Sequence, residues 1–191
     1  FLVNFTDHLD CGIFLDGRMT RELIRKLAKG KRFLNLFCYT GTATVYAAEG
    51  GAETTTSVDH SNTYLSWAKK NMSLNGFSRE SHRFFKADCQ AWLKEDRHLY
   101  DLIFLDPPTF SNSKASRDFD IQTFHPELIR LAASRLNKNG IILFSNNYKR
   151  FKMDFEKLAN FNIESISSGT VPNDFNRSKH IHNCWKITRR S

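Results

Sequence analysis

Residues 33–41 read Phe33-Leu34-Asn35-Leu36-Phe37-Cys38-Tyr39-Thr40-Gly41, and over this stretch the chain passes from apolar strand to ligand-facing loop. Phe33, Leu34, Leu36 and Phe37 make a short apolar run, the pattern of a strand buried on both faces. Thr40, Gly41 and Thr42 punctuate it, and Ala43-Thr44-Val45-Tyr46-Ala47-Ala48 then reads as a helix. A strand that feeds a helix through a tight glycine turn presents backbone N–H groups to a ligand. The single glycine is not the Gly-x-Gly-x-x-Gly of dinucleotide enzymes. Taken alone, the stretch is equally an ordinary strand-to-helix connection.

Downstream, residues 54–58 are β-rich and end at Asp59, about two dozen positions beyond Asn35. In open α/β sheets an acid at the end of the second strand accepts the two ribose hydroxyls of a nucleoside ligand, through strong charge-assisted bonds. Asp59, followed by Ser61, also suits the cap of the next helix. That helix covers residues 61–75, with Leu65, Ala68, Met72 and Leu74 inward and Gly76 as its stop. Residues 82–87 form a third strand. It ends at Asp88, which either accepts the exocyclic amine of an adenine or caps the helix that begins at Cys89. Residues 100–105 form a fourth strand, running into Asp106-Pro107-Pro108-Thr109-Phe110. Two prolines fix φ and offer no N–H, so this loop is stiff and its carbonyls are free to accept bonds, while Phe110 is able to stack on a base. An acid-Pro-Pro-aromatic loop at a strand's carboxyl end suits a flat heterocycle, and is the most specific local signal in the chain.

Residues 111–118 are a lid, a substrate-contacting loop or a long connector. Residues 120–136 are helical, with Ile121, Phe124, Leu128, Leu131 and Ala132 near one face, and residues 137–140 end the helix. A fifth strand covers residues 141–144, a short helix residues 151–160, and a closing strand pair residues 163–166 and 181–188. Strand and helix alternate from residue 33 to 144, which predicts a parallel sheet with helices on both faces. Upstream, residues 1–5 and 12–15 read as a short hairpin around a turn at residues 7–10. Residues 16–31 read as a helix, with Leu23, Ile24, Leu27 and Ala28 on one face and Arg18, Arg21, Arg25 and Lys29 on the other. Like charges four apart cost about 0.2–0.5 kcal/mol per pair. This basic stripe is therefore either an ordinary solvated face or one that meets phosphate. Lys149, Arg150 and Lys152 follow the fifth strand, near the edge where ligands sit, and are further candidates for phosphate contact.

The chain's 191 residues suit one domain. Its formal net charge of +8 favours a polyanionic partner, RNA or DNA, over a neutral one. Cys11, Cys38, Cys89 and Cys184 form no C-x-x-C pair and fit a reducing cytoplasm better than a disulfide framework. No apolar run reaches the roughly 18 residues of a membrane span, and no secretory signal is visible. His180, His182 and Cys184 alternate along one strand face, but no fourth ligand has helpful spacing, so no metal is expected. The chain starts at Phe1, which points to a single domain, residues 1–191, of a longer protein, with residues 1–31 as an N-terminal extension.

Together, Asn-Leu-Phe-Cys-Tyr-Thr-Gly, Val-Asp-His-Ser, Ala-Asp-Cys and Asp-Pro-Pro-Thr-Phe resemble the ordered motifs of class I S-adenosylmethionine (SAM)-dependent methyltransferases. More closely, Gly12-Ile13-Phe14-Leu15-Asp16-Gly17-Arg18, DPPTFSNSK from Asp106, Phe144-Ser145-Asn146-Asn147 and Ile181-His182-Asn183-Cys184-Trp185 resemble the RlmK half of the bacterial bifunctional RlmKL family. The resemblance covers essentially the whole chain. It implies a Rossmann-like α/β fold with a mostly parallel seven-stranded sheet and helices on both faces. It implies methylation of guanine N7 in 23S rRNA with SAM as cofactor, and S-adenosylhomocysteine (SAH) as product. Its implied partners are 23S rRNA or its precursor and fused THUMP and RlmL-like methyltransferase regions, and it implies that this domain is the C-terminal part of the longer protein. By position, Asn35, Phe37, Tyr39, Thr40 and Gly41 would flank the methionine moiety. Asp59 would take the ribose and Asp88 the adenine amine. Asp106, Pro107, Pro108 and Phe110 would line the catalytic base pocket, with Asp106 also beside the cofactor. Asp16 and Arg18 would cover the cofactor, the guanidinium of Arg18 suiting the methionyl carboxylate. Arg21, Arg25, Lys114, Lys149, Arg150 and Lys152 are the expected RNA contacts.

Guanine N7 has a lone pair and no proton, so its methylation needs no general base. Cytosine C5 methylation, as in RlmI-like enzymes, needs a cysteine nucleophile, and residues 106–110 and 145–150 contain none. Methylation of an exocyclic amine such as guanine N2 needs a proton acceptor, which Asp106 could supply. A non-catalytic RNA-binding module is the alternative from a different class.

Overall fold

The apolar run becomes the central strand of a parallel sheet. The computed structural model describes residues 1–6, 11–78, 80–109, 120–175 and 181–190. Chain order is α1 (Arg18–Leu27), β1 (Arg32–Leu36), α2 (Thr42–Glu49), β2 (Thr54–Asp59), α3 (Asn62–Leu74), β3 (His82–Lys86), α4 (Cys89–Glu95), β4 (Tyr100–Leu105), α5 (Ile121–Ser134), β5 (Leu136–Asn146), β6 (Phe161–Ser165), α6 (Ser167–Thr170) and β7 (Asn183–Arg189). The seven strands form one sheet in the order β3-β2-β1-β4-β5-β7-β6, with β7 antiparallel between β5 and β6. This is the Rossmann-like α/β fold expected of the sequence.

Period-two alternation explains the apolar runs. Leu34, Leu36, Ile103, Leu105, Ile142 and Phe144 meet Leu93 of α4 and Ile121, Leu128 and Ile129 of α5. The alternate residues Phe33, Leu102, Phe104 and Leu143 meet Ile24 of α1 and Ala43 and Ala47 of α2 on the other face. Burying each large side chain contributes about 1.5–3 kcal/mol, so neither face can turn to water. From β1 the chain steps outward to β2 and β3, then returns to β4 on the other edge of β1. That reversal opens a crevice at the carboxyl ends of the strands, where ligands of such sheets bind.

Three local expectations differ from the structure. Residues 1–5 and 12–15 contain no strand. Among the described residues, Asn4 N–H donates to the Cys11 carbonyl at 3.1 Å. Several backbone groups of these two stretches bond to the body of the domain: Leu2 N–H donates to Asn71 Oδ1 (2.8 Å), Trp67 Nε1–H to the Leu2 carbonyl (3.2 Å) and Thr40 Oγ1–H to the Gly12 carbonyl (2.7 Å). Gly12 is needed there, because at φ +92° a Cβ would lie 2.3 Å from the Trp67 ring. Second, residues 151–160 form turns, not a helix. Side chains of α5 take their backbone groups: Gln122 bonds Lys152 N–H and C=O (both 2.8 Å), His125 Nε2 accepts Asp154 N–H (3.0 Å), and Arg130 donates to the Lys157 carbonyl (2.7 Å). Third, α5 ends at Ser134 and β5 begins at Leu136, so residues 137–140 belong to the strand. The turn at residues 7–10, Phe110, residues 111–118 with Lys114, and His180 lie outside the described residues. Among the described residues no helix is long and apolar enough to cross a membrane.

Candidate active site

The loop between β1 and α2 is held in a conformation few sequences tolerate. Phe37 (φ 57°) and Tyr39 (φ 50°) are both left-handed, at a cost of about 1–3 kcal/mol each. Surrounding bonds enforce it: Phe37 N–H donates to Cys89 Sγ (3.3 Å), Cys38 N–H to the Val58 carbonyl (3.1 Å) and Tyr39 N–H to Asp59 Oδ2 (2.9 Å). Gly41 follows at φ +71°, where a Cβ would lie 2.6 Å from Ala68 Cβ. Glycine thus lets α2 start against α3. Thr40 is fully buried, and Asn71 Nδ2–H donates to its carbonyl (2.9 Å). Asn35 lies beneath this loop, buried, donating to Thr44 Oγ1 (2.9 Å), which in turn shares a hydrogen with Ser57 Oγ (2.7 Å). It braces α2 against the sheet. Tyr39 meets Phe14 and Tyr64 at ring distances of 5.3 and 4.6 Å, and Phe14 is exposed on its far side.

Three carboxylates end successive strands of the same edge: Asp59 after β2, Asp88 after β3 and Asp106 after β4. Asp59 is buried, and each oxygen already accepts one backbone N–H, Tyr39 at Oδ2 and Ser61 at Oδ1 (both 2.9 Å). Each oxygen keeps a second lone-pair site for a ligand hydroxyl. Asp88 caps α4 through Oδ1, which accepts Ala91 N–H (2.9 Å).

Asp106 stands at the floor of the crevice. Crowding by protein pushes its carboxyl up to about 6, against a hydrogen bond from Ser145 and the opposite charges of His182 and Arg21; Asp16 adds to the rise. Its surface is nonetheless exposed. Protein thus crowds the carboxyl on one side and leaves it open on the other. The direction follows from the crowding, and the open side limits its size. Beyond it, Pro107 is buried, Pro108 is exposed, and Thr109 Oγ1–H donates to Asn147 Oδ1 (2.7 Å), tying the loop to the end of β5.

The segment before and within α1 reaches the same cleft, with two surprises. Arg18 forks onto Asp174 and lies 5.8 Å from the Phe175 ring centroid, so its guanidinium already has a carboxylate partner within the chain. Arg21, expected on the outer basic face, is only 6 % exposed. It donates to the Phe14 carbonyl (2.8 Å), lies 5.7 Å from the Tyr46 ring centroid and faces Asp16 and Asp106 electrostatically. Arg21 is therefore not on a surface an RNA phosphate meets. Arg25 is half-buried and pairs with Glu22 (2.7 Å) and Glu49 (3.6 Å). Lys149, Arg150 and Lys152 are exposed on the segment pinned to α5.

Ser145, Arg21 and His182 were not read from the sequence as neighbours of Asp106. His182 is buried, meets Asp16 Oδ2 through Nδ1 (3.3 Å) and Thr170 Oγ1 through Nε2 (3.1 Å). Cys184, also buried, has its thiol pushed up to about 12 by desolvation. Only the motifs Phe-Ser-Asn-Asn and Ile-His-Asn-Cys-Trp hinted that these strands carry site residues. A shallow depression over β6 and β7, lined by Asn162, Glu164, Lys186 and Arg190, involves none of these groups.

A family model for S-adenosylmethionine-dependent methyltransferases matches residues 1–161. The chain belongs to that family. The methyltransferase chain is 56 % identical, over its whole length, to part of a protein of Syntrophotalea carbinolica named ribosomal RNA large subunit methyltransferase K/L, and 55 % identical over 98 % of its length to one of Vibrio parahaemolyticus with the same name. It spans about a quarter of the length of these curated relatives, 27 % in each case. Among solved structures it is similar to SMU.776 complexed with SAH, with TM-score 0.81, 31 % identity and coverage of 97 % of this chain and 52 % of the other. SAM is the family's cofactor, and the site fits it. A buried carboxylate with lone pairs to spare and a glycine-tight loop stand beside an acid that suits a cationic neighbour.

Proposed function

We propose that this methyltransferase domain modifies guanine N7 in 23S rRNA. The observation that carries the proposal is Asp106: a carboxyl on a proline-stiffened loop at the carboxyl end of β4, with no activated nucleophile beside it among the described residues. In this arrangement Asp59 takes the ribose hydroxyls, Asp88 the adenine amine, and residues 37–41 the methionine moiety. When bound, SAM supplies an electrophilic methyl group. Guanine N7 carries its lone pair without a proton, so the protein has no proton to remove. Its tasks are to align the two reactants and exclude water, effects worth up to about 7–11 kcal/mol for well-oriented groups. Asp106, as a carboxylate, complements positive charge that spreads onto the purine. The target base leaves its stack to reach the loop.

Relatives more than half identical and named for the ribosomal RNA large subunit support rRNA as the substrate class. The K/L name covers two activities, and the buried thiol of Cys184 supports neither C5 chemistry nor any thiolate step at neutral pH. Methylation of guanine N2 is the second reading, favoured by the raised Asp106 carboxyl, which suits a proton acceptor. The lengths of the relatives support fused RNA-binding and RlmL-like regions as partners, in the bacterial cytoplasm. The exposed Lys149, Arg150 and Lys152, on a segment tied to the Pro-Pro loop by Thr109 and Asn147, support an RNA track leading into the cleft. The test is Asp106→Ala, assayed with unmodified 23S rRNA and by calorimetry with SAH. Transfer is lost while SAH binding survives; full methylation by the variant overturns the assignment.

A further inference from the structure

Asn146, the last residue of β5, carries a buried donor with no acceptor. It is 1 % exposed, and among the described residues its Nδ2 has no hydrogen-bond partner. Which end of the amide is free follows from its neighbours. Asn146 Oδ1 accepts Tyr148 N–H (3.1 Å), and a backbone N–H can only donate. Oδ1 also accepts Asn183 Nδ2–H (3.3 Å), and that same Nδ2 donates to the Tyr148 carbonyl (3.0 Å), which can only accept. Turning either amide over would set donor against donor or acceptor against acceptor. Nδ2 of Asn146 is therefore the open group, and an amide donor buried without an acceptor is costly.

Its place in the sheet gives this donor a use. β5 lies parallel beside β4, with Phe144 level with Leu105, so Asn146 stands just past the point where β4 runs into Asp106 and the two prolines. The next residue, Asn147, holds that loop through Thr109 (2.7 Å). We propose that Asn146 reads the target purine, its Nδ2–H donating to O6 of guanine. The inference rests on guanine N7 as the methyl acceptor and adds the residue that selects the base. Guanine presents two acceptors side by side, N7 and O6. N7 must stay open to the methyl group, which leaves O6 for the protein. Adenine presents its N6 amino group in that place, a second donor facing the first. Asn146 thus admits a keto purine and turns adenine away. The amide is shielded from water, so the base reaches it as the Thr109–Asn147 bond opens.

The test is single-turnover methylation of 23S rRNA in which the labelled guanine is replaced, by splinted ligation, with 2-aminopurine, which lacks O6, or with hypoxanthine, which keeps it. Loss of O6 slows the parent about 5- to 150-fold more than it slows Asn146→Ala, the range for a buried donor left unsatisfied. Hypoxanthine slows parent and variant by the same factor. Unchanged SAH affinity by calorimetry shows that the variant is folded. Where alanine loosens the end of β5, Asn146→Asp takes its place, assayed where the new carboxyl is ionised. It keeps Oδ1 for Tyr148 and Asn183 and exchanges the open donor for an oxygen, with the same loss of preference for O6. Equal slowing of parent and variants by 2-aminopurine, the result of a merely structural Asn146, overturns the inference. A parent that labels no guanine overturns guanine methylation itself, and the role of Asn146 falls with it.

Discussion

Asp59→Asn separates two roles that one carboxylate is asked to fill. In the structure its oxygens accept Tyr39 N–H and Ser61 N–H, each at 2.9 Å, from the two loops that frame the crevice. The variant is isosteric, but one acceptor becomes an NH2 group, so one of these two N–H groups faces a donor. A buried donor left unsatisfied costs about 1–3 kcal/mol. In a domain of this size each kcal/mol moves the melting temperature by roughly 2–4 °C, so melting falls by about 2–12 °C. If Asp59 also holds the ribose, the ligand loses a charge-assisted bond of about 1.5–3 kcal/mol. SAH then binds about 10- to 150-fold more weakly, at a temperature where the variant is folded. Thermal melting and calorimetry read the two losses separately. A drop in melting temperature with unchanged SAH affinity would refute the ribose assignment and leave Asp59 as a loop brace alone.

Gly41→Ala places a Cβ 2.6 Å from Ala68 at φ +71°; the left-handed cost of about 1–2 kcal/mol and overpacking of about 1–3 kcal/mol lower stability together, read by urea unfolding. Asp106 titrates from a folded value raised to about 6. Native protein therefore holds this proton more tightly than unfolded chain, and the group's contribution to stability declines as pH rises between the ordinary carboxylate range and about 6. Activity runs the other way: kcat/KM falls as pH drops through about 6, and the kcat limb lies lower because a bound cation favours the carboxylate; a flat profile from pH 5 to 8 contradicts the role. On the pinned segment Phe155 is 60 % exposed, a few positions after the exposed Lys149, Arg150 and Lys152. Phe155→Ala weakens binding of a single-stranded RNA fragment about 5- to 150-fold through lost stacking, and each Lys→Ala lowers the salt slope by about 0.7.

The sheet was legible because its signals are local. Phe33, Leu34 and Leu36, and Leu102 to Leu105, are apolar for a reason that alternation alone dictates, and the acids at the strand tips mark where each strand stops. Asp88 and Asp59 illustrate the limit: the sequence left cap and ligand roles open, and the structure shows both acids bonding local N–H groups without closing off a ligand. What could not be read depends on distant partners. The N-terminal segment is irregular because Trp67 and Asn71 on α3 take its backbone groups. Residues 151–160 fail as a helix because Gln122, His125 and Arg130 bond their backbone. Arg21 was assigned to the outer face because, with Arg18, Arg25 and Lys29, it falls opposite the apolar Leu23, Ile24, Leu27 and Ala28. The neighbours that bury it, Phe14 and Tyr46, lie outside α1.

The central claim is tested most directly by incubating the protein with unmodified 23S rRNA and labelled SAM and mapping the modified base. Label at a guanine whose strand cleaves after borohydride and aniline treatment is the predicted result. Label confined to a base that resists that treatment, such as an N2-methylated guanine, would contradict it.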